Sequence, residues 1–91
     1  MWWTSEAAVK LIYFAWVRER IGLPEEEVEL PAEVKTVRDL LLWLRERGEG
    51  YQEALRHPEA IRVAINQEHS RHDEPIAGAR EIALFPPMTG G

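Results

Sequence analysis

Val9-Lys10-Leu11-Ile12-Tyr13-Phe14-Ala15 is the stretch on which the fold turns. Its β-branched and aromatic content reads as a strand. Side chains alternate along a strand, so Leu11 and Tyr13 share one face while Ile12 and Phe14 share the other. With both faces apolar, it is expected in the middle of a sheet and covered on both sides. Its counterpart lies near the other end of the chain. Glu81-Ile82-Ala83-Leu84-Phe85 is a second apolar strand, stopped by Pro86-Pro87. These two are the most apolar strands in the chain, and they are expected side by side.

Between them the signals change period. Trp16 to Ile21 reads as a short helix stopped at Gly22, with Pro24 blocking its continuation. Glu27-Val28-Glu29-Leu30 alternates as a half-buried strand, and Pro31 ends it. Thr36 then opens the main helix as an N-cap, with Asp39 completing a variant of the capping box. Val37, Leu40, Leu41 and Leu44 form one apolar stripe, and Gly48 is expected just past the helix end. A shorter helix is expected over Tyr51 to Arg56. A strand over Ile61 to Ile65, a turn beginning at Asn66-Gln67 and a short edge strand within His69 to Asp73 follow. This order predicts an α+β chain of β-grasp (ubiquitin-like) type, a mixed sheet packed on one main helix. A ferredoxin-like sandwich is the rival, and it wants two comparable helices.

The chain has 91 residues, enough for one domain with one core. Residues 9–91 are expected to form it, with residues 1–8 as a flexible N-terminal extension. Asp and Glu outnumber Lys and Arg by 16 to 11, giving a net charge of −5. Such a chain repels phosphate backbones, so nucleic acid is not an expected partner, and a basic groove on a protein suits it better. There is no cysteine, which removes disulfides, thiolate metal sites and a thiol nucleophile together. No apolar run approaches a membrane span, and the first residues lack the marks of a signal peptide; the cytoplasm is the expected compartment.

The end of the chain, Pro86-Pro87-Met88-Thr89-Gly90-Gly91, is the feature that points to chemistry. Consecutive prolines hold the backbone extended and offer no N–H to a neighbouring strand. Fully extended, these residues reach about 20 Å. Gly90 and Gly91 have no side chains, so the tip fits a channel too narrow for a Cβ. A stiff arm with a thin tip and a terminal carboxylate suits delivery into another protein's active site. A terminal Gly-Gly alone is more often a frayed end; the whole string on a β-grasp layout reverses that balance.

Phe85-Pro86-Pro87-Met88-Thr89-Gly90-Gly91 resembles the terminal signature of the molybdopterin synthase small-subunit family, which carries sulfur. Leu11 to Glu19 resembles that family's first strand and turn, and Val63-Ala64-Ile65-Asn66 its middle strand. The resemblance covers residues 9–91. It implies that Gly91 is the working residue: an E1-like adenylyltransferase uses ATP to adenylate its carboxylate, and a sulfur donor protein converts it to a thiocarboxylate. No cofactor is bound permanently. Docked on the large catalytic subunit in a heterotetramer, that group gives its sulfur to cyclic pyranopterin monophosphate. Pro86, Pro87, Met88, Thr89 and Gly90 would insert with it, and Phe14, Arg18 and Phe85 would face the large subunit. The chain would then be a sulfur donor with no active site of its own.

Other residues weigh less. His69, His72 and Asp73 lack a third well-placed ligand and read as a solvated edge. Glu25-Glu26-Glu27 reads as solvated charge. Arg18 is equally well read as a surface cation paired with Glu19 or Glu25. Two other functions share the terminal glycines, a sulfur carrier for thiamine thiazole synthesis and a ubiquitin-like modifier of lysines. The thiazole carrier usually lacks the Phe-Pro-Pro step.

Overall fold

The computed structural model describes residues 8–87. The elements run β1 (Ala8–Tyr13), α1 (Ala15–Ile21), β2 (Glu25–Glu29), α2 (Val37–Arg45), α3 (Glu49–Ala54), β3 (Arg62–Ile65), β4 (Glu68–Ser70) and β5 (Glu81–Phe85), with a 3-10 turn at Pro58–Ala60. The strands form one sheet in the order β2-β1-β5-β3-β4. The two apolar strands are neighbours as expected: β1 and β5 run parallel, from Lys10 opposite Glu81 to Tyr13 opposite Leu84. The other pairings are antiparallel.

One core lies between this sheet and the helices. Leu11, Tyr13, Val63, Ile82 and Leu84 supply its floor, and Val17, Val37, Leu40, Leu41, Leu44 and Leu55 its roof. All four residues of the α2 stripe are fully buried, each contributing roughly 1.5–3 kcal/mol before entropy is charged against it. The Thr36 hydroxyl accepts from the Asp39 N–H at 3.2 Å, and the Asp39 carboxylate accepts from the Thr36 N–H at 3.2 Å. Two further N–H groups of the first turn, on Val37 and Arg38, donate to the carbonyls of Glu74 and His72. The 71–79 loop is thus strapped across the start of α2.

Several boundaries differ from the sequence reading. β1 starts at Ala8, one residue into the expected extension, and β2 starts at Glu25 and stops at Glu29. The edge strand β4 is Glu68–Ser70, fixed by its turn: Asn66 and Gln67 both have positive φ, 49° and 73°. Asn66 also holds β5 in place, its side-chain oxygen accepting from the N–H groups of Arg80 and Glu81 at 3.0 and 3.1 Å.

Gly22 ends α1 as expected, at φ 91°. Gly48 does not end α2. That helix closes through short-range bonds from the Glu46 and Arg47 N–H groups to the carbonyls of Trp43 and Leu44, which satisfy its last acceptors without a left-handed glycine. Gly48 is instead extended, at φ 166°, and precedes α3. The short second helix begins earlier than expected, at Glu49, and its Gly50 packs directly on α1. A Cβ there would meet the Arg20 carbonyl oxygen at 2.5 Å.

The main surprise is Glu26. Its neighbours Glu25 and Glu27 are exposed, but the Glu26 side chain is only 15% exposed. One carboxylate oxygen accepts from the hydroxyls of both Tyr13 and Tyr51 at 2.6 Å, and the other lies 3.3 Å from the Arg47 guanidinium. Burial raises its pKa, but the two hydroxyls and the charge of Arg47 outweigh that and hold it below the ordinary glutamate range. The same contact, added to burial, pushes the Tyr51 hydroxyl up to about 12. This carboxylate ties β2 to β1, α3 and the end of α2.

A depressed carboxylate pKa adds stability that is present above the unfolded value, about 4.3, and is lost as pH falls through the folded one. Glu26→Gln should therefore cost about 1–2 kcal/mol at neutral pH. The melting temperatures of variant and wild type should converge as the pH drops below about 4. Thermal melts from pH 7 to pH 3 check this, and a gap independent of pH would refute it.

Candidate functional site

The sheet's second face carries no helix among the described residues, contrary to the expectation that β1 is covered on both sides. Lys10, Ile12 and Phe14 lie on this face, with Ala83 and Phe85 beside them on β5 and Arg62 and Ala64 on β3. Ile12 is half-buried and Phe14 is 40% exposed. The apolar side chains that suggested a second covering layer form an open patch instead.

Phe14 and Phe85 are stacked at the end of that patch where β1 and β5 stop, ring centroids 4.7 Å apart and planes within 2°. His69 of β4 tilts over the far edge of Phe85 at 6.3 Å. Its contribution was not legible in sequence, because it depends on the β3–β4 register that sets His69 opposite Ala64. The backbone explains why Phe14 stands clear. Its N–H donates to the Leu84 carbonyl at 3.1 Å, and Ala15 then turns the chain at φ 53° into α1. A left-handed alanine costs on the order of 1 kcal/mol, so this corner is held in place by its surroundings.

The tail departs at the same spot. β5 is the middle strand, and its pairing with β1 and β3 ends at Leu84 and Phe85. Pro86 and Pro87 follow, both half-buried, and neither has an N–H with which to continue the ladder. The arm thus starts at the sheet's centre beside the stacked rings. The expected roles of Met88, Thr89, Gly90 and Gly91 lie outside the described residues.

Arg18 sits one turn into α1, exposed, and makes no ion pair among the described residues. Of its two suggested partners, Glu25 pairs with Lys10 at 3.5 Å instead. His72 is engaged with the backbone, its Nε2 lying 2.7 Å from the Ile61 carbonyl oxygen. No helix among the described residues is long and apolar enough to cross a membrane.

A five-stranded mixed sheet gripping one long helix, with a proline-stiffened end leaving its middle strand, defines the β-grasp, ubiquitin-like class. Within that class the chain belongs to the ThiS family, which it matches over residues 11–91. It is 32% identical to the molybdopterin synthase sulfur carrier subunit of Escherichia coli, over 91% of this chain and 99% of that protein. Among solved structures it resembles a putative molybdopterin converting factor, subunit 1, from Pyrococcus furiosus, with TM-score 0.67 and 29% identity over 90% of this chain and 99% of that one. It is equally similar in shape to small archaeal modifier protein 1 of Haloferax volcanii, with TM-score 0.67, 28% identity and the same coverage.

Proposed function

We propose that this protein is the sulfur carrier subunit of a molybdopterin synthase. The observation that carries the reading is the likeness to sulfur carrier subunits along nearly the whole chain, in a fold whose middle strand runs straight into the Pro-Pro arm. A free carboxylate is a poor electrophile. An E1-like adenylyltransferase would therefore use ATP to make the acyl-adenylate of Gly91, exposing its carbonyl carbon with a good leaving group. Sulfur delivered by a donor protein at the oxidation level of sulfide would attack that carbon, displace AMP and leave a thiocarboxylate. The arm would then enter the large catalytic subunit and give that sulfur to cyclic pyranopterin monophosphate, with two such deliveries for each dithiolene. Phe14 and Phe85 suit the docking step, being stacked and open at the root of the arm.

The likeness to small archaeal modifier protein 1 supports a second reading, a tag joined through Gly91 to lysines of other proteins. Both readings begin with adenylation, so ATP consumption does not separate them. Intact-mass spectrometry of the chain made together with an active sulfur donor does. A carrier should show a single sulfur-for-oxygen exchange at Gly91. Abundant lysine conjugates without any thiocarboxylate would sink the carrier reading.

A further inference from the structure

We propose that Arg20, Arg56 and Arg62, arranged around the root of the tail, form a docking surface for a carboxylate-rich rim on the protein that receives it. This deepens the function proposed above and rests on it.

The chain as a whole is acidic, but its charge is unevenly placed. Pro87 borders two clefts, one lined also by Trp16, Arg20, Glu53 and Arg56, the other by Glu59, Arg62 and Arg71, so in each two arginines face one glutamate. Arg62 stands opposite Phe85 in the β3–β5 register, which puts it on the open face directly beside the aromatic stack. The β2 glutamates lie elsewhere on that face. Glu25, Glu27 and Glu29 line the edge strand β2, with β1 between them and β5.

The three arginines are exposed but differ in what holds them. The Arg20 guanidinium lies over the Trp16 ring, 4.2 Å from its centroid. That contact fixes the cation while leaving its N–H groups available, so little side-chain entropy remains to be lost on binding. Arg56 is paired with Glu53 at 2.6 Å. Arg20 and Arg62 make no ion pair among the described residues. Two guanidinium groups with no ion pair among the described residues, one in each cleft beside Pro87, match carboxylates at the mouth of a channel, because each planar fork donates two parallel N–H bonds to a carboxylate. A nucleic acid or other extended polyanion fits poorly, since the β2 glutamates on the same face would repel it. Continuity with the Phe14–Phe85 patch makes the arginines the charged rim of one interface with an apolar centre.

The test uses the full chain, the purified large subunit of molybdopterin synthase, and the double variant R20E/R62E. Binding is measured by calorimetry at low and at near-physiological salt. Reversal should weaken binding roughly 10–100-fold at low salt, with the gap narrowing as salt rises. The neutral pair R20Q/R62Q should fall in between, and the melting temperature of each variant should stay close to wild type. Wild-type affinity in R20E/R62E, or a loss independent of salt, would overturn the arginine surface while leaving the carrier reading intact. A wild-type chain that does not bind the large subunit at all would refute the carrier reading and remove the occupant of this surface with it.

Discussion

Deleting Gly91, or adding one residue after it, should abolish sulfur transfer to the pterin precursor. The effect should be large because the proposed mechanism puts the reacting atom on the last residue. One extra residue moves the carboxylate by about 3.3 Å, and misplacing a reacting group by about 1 Å already costs on the order of 100-fold. Stability should not change, since the core is built from residues between Val9 and Leu84. The check is a reconstituted assay of molybdopterin formation beside a thermal melt of each variant. Normal product formation by either one would rule out the terminal-carboxylate mechanism.

Phe85→Asp should weaken the complex with the large subunit by about 100-fold or more, as loss of a central aromatic anchor does. Phe85 is half-buried, stacked on Phe14 and flanked by His69 and Arg62. A carboxylate there removes the stack and is desolvated by any apolar partner. Unlike the effect of reversing the arginines, most of this loss should persist at high salt. Titration of the variant into the large subunit measures it, with a melt to confirm the fold. Undiminished affinity would remove the aromatic patch from the interface. Recovery of thiazole synthase by the wild-type chain would move the protein to the other sulfur pathway.

The sheet, its central pair and the main helix were legible because their signals are local. β1 and β5 announce themselves by composition, α2 by an i, i+3, i+4, i+7 stripe, and its start by Thr36 and Asp39 three residues apart. The errors share a cause, which is that distant residues decide. Glu26 looked like one of three solvated charges, yet its partners are at positions 13, 47 and 51. Gly48 looked like a helix stop, but α2 closes on its own carbonyls and the glycine that matters is Gly50, against α1. The side of β1 that carries Ile12 and Phe14 reads as covered, and among the described residues it is open, with Phe14 40% exposed.

Of the residues expected at the interface, the structure brings two together. Phe14 and Phe85 were chosen from separate ends of the chain and the fold brings them into contact. Arg18 is exposed, and of its two suggested partners Glu25 is taken by Lys10. Net charge was the least informative quantity. A total of −5 favours a basic partner, but a sum over the chain contains no positions: the two clefts beside Pro87 hold Arg20, Arg56, Arg62 and Arg71 against Glu53 and Glu59.

The parallel pairing of β1 with β5 has a consequence for the order of folding. Lys10 and Glu81 are partners about 70 residues apart, so the middle of the sheet closes only after nearly the whole chain has been gathered. Such long-range closure raises the entropic barrier and slows folding relative to helical or hairpin contacts. β2 can pair with β1, and β3 with β4, while the centre is still missing. Until β5 enters between β1 and β3 there is no continuous surface for α2 to cover and no fixed point from which the arm departs. The strand from which Pro86 and Pro87 depart is also the strand that completes the domain, so under the proposed function an incompletely folded chain would have no fixed arm to offer an activating enzyme.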